Sequence, residues 1–167
     1  MPNESTKYTI EMGRKVAELV IKRLEPYCKP ARCVVAGSIR RGAPMVHDVD
    51  IVLIPGDSWN LYQEILALNK PFKPSPDGPK IKKIRVGGMP VDLYITDERE
   101  WATILLIRTG SVANNIRLCT RAKDIGFQLK ADGSGLFNQF NKRIAGDTEM
   151  SIYGALGLPY QNPDERR

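Results

Sequence analysis

The chain of 167 residues carries 25 Lys and Arg against 19 Asp and Glu, a formal net charge of +6, and 42% of its residues are apolar. This composition is globular and excludes collagen-like and low-complexity classes. No apolar stretch could span a bilayer and no secretion signal begins the chain, so we expect a cytoplasmic protein without a membrane partner, with association with the nucleoid and a place in viral or host cytoplasm as the alternatives. The basic charge indicates either a polyanionic partner or merely a basic surface.

The first part of the chain alternates predicted helices and strands. Apolar residues at helical spacing predict a helix of about four turns up to Leu24, which Pro26 ends. The β-rich runs CVVA and VDIVLIP predict strands at 33–36 and 49–55. Ser58 is the predicted N-cap of the next helix, WNLYQEILAL.

A proline-rich loop, NKPFKPSPDGPK, precedes a predicted hairpin in which Gly87 and Gly88 join the strands IKKIRV and PVDLYIT. After Thr96 the pattern predicts three helices, the second capped by Ser111, with short hairpin strands between the last two. We therefore expect an α+β fold with two subdomains, residues 1–98 and 99–167. The first would hold a mixed, largely antiparallel sheet with helices on one face.

Three cysteines, Cys28, Cys33 and Cys119, do not have the spacing of a zinc site or the even number of a disulfide framework. We interpret them as buried thiols and leave a Cys28 to Cys33 bridge open.

Three aspartates on apolar strands predict the chemistry. Asp48 and Asp50 share a face because side chains alternate along a strand, and Asp92 lies on a second apolar strand. If the two strands pair, three carboxylates converge, as a two-metal Mg²⁺ site for phosphoryl transfer requires. Alone, a D-x-D pair would more often mark a turn or a solvated strand edge.

The segment GSIRRG, just before these aspartates, favours an active site. Gly37 and Ser38 can present backbone N–H groups and a hydroxyl to an anion, and Arg40 or Arg41 can add a bidentate phosphate contact. A triphosphate cradle would then lie beside the metals that a triphosphate needs.

These motifs resemble the family X DNA polymerases. The resemblance rests on GSIRRG, DVD and VDLYI, and continues through TGSVANNIRL, GLF, KRIAGDTEMSIYGALGLPY and PDERR. The chain is similar in extent to a minimal member of that family, with a palm and a C-terminal subdomain only. The resemblance implies Mg²⁺-dependent addition of a deoxynucleotide to a primer 3′-hydroxyl, with release of pyrophosphate, by a monomer that fills short gaps in DNA. Mn²⁺ is an expected substitute.

The resemblance also implies a role for each matching residue. Asp48 and Asp50 would bridge two Mg²⁺ ions, and Asp92 would bind the catalytic ion and the primer hydroxyl. Nucleotide contacts are implied for eight positions: Gly37, Ser38, Arg41, His47, Thr109, Gly110, Ser111 and Asn115. The basic residues that would hold DNA are Lys80, Lys82, Lys83, Arg85, Arg117 and Arg121. The less favoured alternative for the first four is a solvated strand face.

Three positions depart from the family pattern. Before Thr-Gly-Ser the family usually has an aromatic residue or histidine followed by phenylalanine, whereas this chain has Ile107 followed by Arg108. At the position of Cys119 the family has an arginine that contacts the template. Two other function classes stay open: a template-independent or non-DNA nucleotidyltransferase acting on RNA or protein, and a non-catalytic nucleic-acid binding module.

Overall fold

A computed structural model describes residues 6–69 and 78–167. The chain forms two compact units, Met1–Thr96 and Asp97–Arg167. Both contain helices and strands, so the expected α+β class is confirmed. Within the described ranges no helix combines the length and apolar character needed to cross a membrane. Most of the predicted proline-rich loop, from residue 70 to residue 77, lies outside the described residues.

The first unit is built around a four-stranded sheet. Its elements are β1 (Tyr8–Thr9), α1 (Ile10–Leu24), β2 (Cys28–Val35), α2 (Gly37–Arg40), β3 (Met45–Val46), β4 (Val49–Pro55), α3 (Ser58–Leu68), β5 (Ile81–Val86) and β6 (Met89–Ile95). The strand order is β2-β4-β6-β5, and β1 and β3 form a separate small pair. Strands β4 and β6 are parallel, whereas the other two pairings of the large sheet are antiparallel. The sheet is therefore mixed and largely antiparallel, as the sequence predicts.

The helix boundaries follow local capping chemistry. The side chain of Thr9 accepts a hydrogen bond from the Met12 backbone N–H at the start of α1, and Pro26 lies in the short 3₁₀ turn that follows this helix. The predicted cap of α3 is wrong by one residue. Asp57, not Ser58, is the N-cap, because its carboxylate accepts the backbone N–H of Asn60 at 3.1 Å.

The core of the first unit lies between the sheet and two helices. Ile51 and Leu53 of β4 are fully buried together with Leu93 of β6, and they belong to the same apolar cluster as Val20 of α1 and Leu61 of α3. Full burial of such a side chain contributes about 1.5–3 kcal/mol. Since alternate residues of a strand face opposite ways, this packing leaves the even-numbered positions of β4 on the face away from α1 and α3.

The second unit has its own core and its own sheet. Its elements are α4 (Trp101–Thr109), α5 (Val112–Asp124), β7 (Phe127–Lys130), β8 (Gly135–Asn138), β9 (Arg143–Ala145) and α6 (Glu149–Ala155). The three strands form an antiparallel sheet in the order β7-β8-β9. Leu106, Leu118, Leu136 and Ile152 are fully buried in one cluster. The predicted helices and hairpin strands are confirmed here.

A buried arginine near the end of the chain forms an ion pair and hydrogen bonds inside the second unit. The Arg166 side chain is 0% exposed, and its guanidinium forms an ion pair with the Glu149 carboxylate at 2.8 Å. It also donates to the Gln161 carbonyl at 3.0 Å and to the Tyr160 hydroxyl at 3.3 Å. A buried charge persists only when it is paired and hydrogen-bonded in this way. Nothing in the sequence pattern predicts it.

Candidate active site

The register of the parallel pair β4 and β6 brings two aspartates together. Asp50 lies directly opposite Asp92, with Val49 opposite Val91 and Ile51 opposite Leu93. Paired residues of neighbouring strands point to the same face, so both carboxylates lie on the face away from α1 and α3. Two carboxylates that are distant in the sequence thus become neighbours.

A tyrosine hydroxyl links these two carboxylates. The Tyr94 hydroxyl lies 3.2 Å from Asp50 Oδ1 and 3.4 Å from Asp92 Oδ2. Tyr94 follows Asp92 by two positions on β6 and therefore shares its face. Sequence reasoning missed this residue, although its position two residues after an aspartate on a strand was the available signal.

Gly37 makes room for one of these carboxylates. Its φ is +57°, and a Cβ at this position would lie 1.9 Å from Asp50 Oδ2, far inside van der Waals contact. The adjacent Ala36 donates its backbone N–H to the Asp50 carbonyl at 2.8 Å, which anchors the start of α2 to β4. The residue directly before GSIRRG is therefore hydrogen-bonded to the aspartate strand, and Gly37 lies close to the Asp50 carboxylate.

Gly37→Ala should lower the melting temperature more than Gly42→Ala does. Both glycines have positive φ, +57° and +70°, so each alanine carries a similar left-handed strain of about 1–2 kcal/mol. A Cβ on Gly42 meets nothing within 4 Å, whereas one on Gly37 collides with Asp50. Thermal unfolding of the two variants isolates the collision, and equal losses would contradict this account of Gly37.

Asp48 lies just before β4 and is partly buried. Burial raises the pKa of its carboxyl, the negative charge of Asp92 raises this pKa further, and the charges of His47 and Lys83 oppose both effects. Asp48 and Asp92 are therefore close enough to repel each other. The arrangement carries excess negative charge, which a bound cation would neutralise.

Asp48→Asn should stabilise the metal-free protein at neutral pH. Because the pKa of Asp48 is raised on folding, the folded state binds the proton more tightly, and stability falls as pH rises from the ordinary value of 3.8 through the folded pKa. We expect a higher melting temperature than that of the unmodified protein at pH 7 in a chelating buffer, because asparagine carries no charge to be desolvated or to repel Asp92. The gain should disappear below pH 3.8. A pH-independent difference would show that another cause operates.

The basic residues predicted to hold DNA lie on both faces of the sheet. Lys83 is opposite Asp92 in the antiparallel pair β5 and β6, and its Nζ lies 3.5 Å from Asp92 Oδ2. Lys82 points the other way, toward α3, with Nζ 5.9 Å from the ring centroid of Tyr62. Arg85 shares the Lys83 face by alternation, and its guanidinium donates to the Gly88 carbonyl at 3.0 Å. Lys80 is exposed just before β5.

The remaining residues expected to hold phosphate lie along the segment before β4. Ser38 is in α2, where its carbonyl accepts the backbone N–H of Ala43 at 3.0 Å. Arg41 follows the last residue of α2 and is partly exposed, and His47 is exposed beside Asp48. All three belong to the same short stretch of the first unit as Gly37.

The Thr-Gly-Ser segment lies between α4 and α5 in the second unit. Thr109 is the buried last residue of α4, and a cis peptide bond joins Gly110 to Ser111. The Ser111 hydroxyl accepts the backbone N–H of Asn114 at 3.2 Å, which confirms Ser111 as the cap of α5. The Ser111 backbone N–H donates to the Arg166 carbonyl at 3.3 Å. The backbone of Arg166, near the end of the chain, therefore contacts this segment.

Of the two polar atoms in the Asn115 side-chain amide, the nitrogen is hydrogen-bonded. Its Nδ2 donates to the Ile107 carbonyl at 2.9 Å. Within the described residues its buried Oδ1 has no hydrogen-bond partner. A buried acceptor without a hydrogen-bond partner costs free energy unless another group donates to it.

Two arginines of α5 make hydrogen bonds inside the second unit. Arg121 Nε donates to the Leu156 carbonyl at 2.9 Å. The exposed Arg117 donates to Asn114 Oδ1 at 3.0 Å and to Gln161 Oε1 at 2.5 Å. Both arginine side chains are therefore hydrogen-bonded to residues of the second unit.

The described parts of the chain contain no preformed cluster of three or more His, Cys, Asp or Glu side chains ready to hold a metal ion. The donor chemistry nevertheless fits a hard divalent cation: Asp50 and Asp92 lie side by side, and Asp48 is destabilised by the charge of Asp92. A cation would supply the positive charge that Lys83 provides only from an exposed side chain.

Three comparisons relate the chain to known proteins. The family model of the DNA polymerase beta thumb matches residues 104–167. DNA polymerase lambda of Rattus norvegicus is 23% identical over 93% of this chain, which spans 32% of that protein's length. The crystal structure of Leishmania infantum polymerase beta in a ternary P/T complex matches with a TM-score of 0.79 and 18% identity, over 98% of this chain and 77% of that one.

Proposed function

Since the chain is family X DNA polymerase-like in its thumb sequence and in its fold, we propose that it is a nucleotidyltransferase that extends DNA. In this proposal it transfers a nucleotide from a deoxynucleoside triphosphate to a primer 3′-hydroxyl and releases pyrophosphate, and it acts as a monomer that fills short gaps. The observation that carries the proposal is the pairing of Asp50 with Asp92 across β4 and β6, with Asp48 just before β4.

Asp48, Asp50 and Asp92 would hold two Mg²⁺ ions, with Mn²⁺ as a substitute. Bound there, the metal would lower the charge on the reacting phosphate and the pKa of the attacking hydroxyl. Asp92 would orient the primer hydroxyl and accept its proton. Near these carboxylates the backbone of Gly37, the Ser38 hydroxyl and the Arg41 guanidinium would bind the β and γ phosphates, and the backbone near His47 would assist.

The second unit would bind the nucleoside part of the substrate. Thr109, Gly110 and Ser111 would line the sugar, and Asn115 would contact the edge of the base. The buried Oδ1 of Asn115, unpaired within the described residues, could accept a hydrogen bond only from a donor on that edge, such as the amino group of guanine.

The basic residues would bind DNA by neutralising phosphates, so we propose that affinity falls as salt rises. Lys83 and Arg85 are the strongest candidates in the first unit because they share the carboxylate face. Lys80, just before β5, and Arg117 and Arg121 of α5 would contact other DNA phosphates. Lys82 is the weakest candidate, since it lies over Tyr62 on the other face.

A template-independent transferase is the second candidate. The observation that favours it is the state of α5, where Cys119 replaces a template-contacting arginine of the resembled family. The two flanking arginines, Arg117 and Arg121, bond within their own unit.

Primer extension on gapped DNA separates these candidates. The protein is incubated with Mg²⁺ and one deoxynucleoside triphosphate at a time, opposite each template base, with a chelator as the control. Addition of the complementary nucleotide alone supports the polymerase. Addition regardless of the template base supports the terminal transferase. No addition with either Mg²⁺ or Mn²⁺ would overturn both proposals.

A further inference from the structure

The Tyr94 hydroxyl is a neutral group that contacts two of the three carboxylates of the candidate site. Its distances to Asp50 Oδ1 and Asp92 Oδ2, 3.2 Å and 3.4 Å, are similar. A single O–H···O bond usually measures about 2.5–3.0 Å. The two longer and nearly equal distances are those of one hydroxyl shared between two acceptors.

Ionised carboxylates only accept hydrogen bonds, and they repel each other when they lie side by side. The Tyr94 hydroxyl supplies a proton between Asp50 and Asp92 and so reduces this repulsion. The Lys83 ammonium lies 3.5 Å from the same Asp92 oxygen, but its side chain is 60% exposed and held less firmly. Tyr94 is itself 9% exposed, so its ring is fixed by packing.

We propose that Tyr94 is a positioning residue that sets the orientation of the Asp50 and Asp92 carboxylates for a divalent cation. This inference rests on the proposed function, because it assigns Asp50 and Asp92 as the ligands. Groups that hydrogen-bond to metal ligands fix the ligand geometry, and their loss typically weakens metal binding or activity about 10–100-fold. Tyr94 makes this contact to two ligands at once.

Tyr94→Phe removes the hydroxyl and keeps the ring. The matched control is Tyr62→Phe, whose partly exposed ring lies on α3 beside Lys82. Mn²⁺ binding to the protein without DNA is measured by electron paramagnetic resonance, and primer extension is measured against Mn²⁺ concentration. We expect Mn²⁺ affinity to fall about 10–100-fold in Tyr94→Phe and to stay unchanged in Tyr62→Phe. Saturating Mn²⁺ should restore the extension rate, which it would not do for a merely structural defect.

The outcomes separate the two claims. Unchanged Mn²⁺ affinity in Tyr94→Phe, or a loss of extension that saturating Mn²⁺ does not restore, would overturn the role of Tyr94 and leave the polymerase intact. A wild-type protein that binds Mn²⁺ but extends no primer would overturn the proposed function, whereas the Mn²⁺ affinities would still decide the role of Tyr94. A wild-type protein that binds no Mn²⁺ would overturn both.

Discussion

Asp92→Asn should slow primer extension by about a thousandfold or more, which corresponds to about 4 kcal/mol of lost transition-state stabilisation. Asparagine keeps the size of the side chain and an oxygen that can accept from Tyr94. It removes the negative charge that the proposed metal and primer hydroxyl need. The ion pair with Lys83 is also lost, but such an exposed pair contributes about 1 kcal/mol at most. The protein should therefore remain folded.

The measurement is single-turnover extension at saturating nucleotide, together with DNA affinity by fluorescence anisotropy. DNA affinity should stay nearly intact, since only a proposed metal ligand changes. Asp124→Asn, at the exposed end of α5, is the matched control and should extend primer normally. An Asp92→Asn protein with wild-type extension would remove Asp92 from the chemistry.

Arg166→Met should destabilise the protein by about 3–5 kcal/mol, because the substitution leaves the Glu149 carboxylate buried without its cation. The hydrogen bond to the Gln161 carbonyl is lost as well. Chemical denaturation followed by circular dichroism measures the free energy of unfolding. The neighbouring Arg167→Met is the control, since Arg167 is exposed and its replacement should change this free energy little.

A double variant tests the cause of this loss. If the unpaired Glu149 charge is responsible, adding Glu149→Gln to Arg166→Met should recover part of the stability, which a double-mutant cycle measures. Additive losses would instead assign the effect of Arg166 to its packing against the Tyr153 and Tyr160 rings.

The sequence predicts the elements of this fold well because their signals are local. The helical spacing in α1, the Gly87 and Gly88 turn and the Ser111 cap each depend on neighbours within a few residues, and all are confirmed. The pairing of Asp50 with Asp92 was expected only on the condition that their strands lie side by side, and the register supplies that condition. The roles of these residues stay predictions.

The features that the sequence did not predict depend on tertiary contacts. Four basic residues near β5 were grouped by proximity in sequence, yet strand alternation sends Lys82 and Lys83 to opposite faces. The burial of Arg166 depends on a partner in α6 that no local pattern identifies. The contact between Gly37 and Asp50 likewise requires knowledge of how α2 meets β4.

The register of β4 and β6 also links folding to the alignment of the two proposed metal ligands, Asp50 and Asp92. A slip of one residue would turn Asp92 into the apolar layer under α1 and α3 and bring Leu93 out in its place. Burying an unpaired carboxylate costs several kcal/mol, so the misaligned sheet cannot compete with the native one. Asp50 and Asp92 thus disfavour any other register of β4 and β6. Every molecule that completes this sheet therefore has Asp50 and Asp92 aligned.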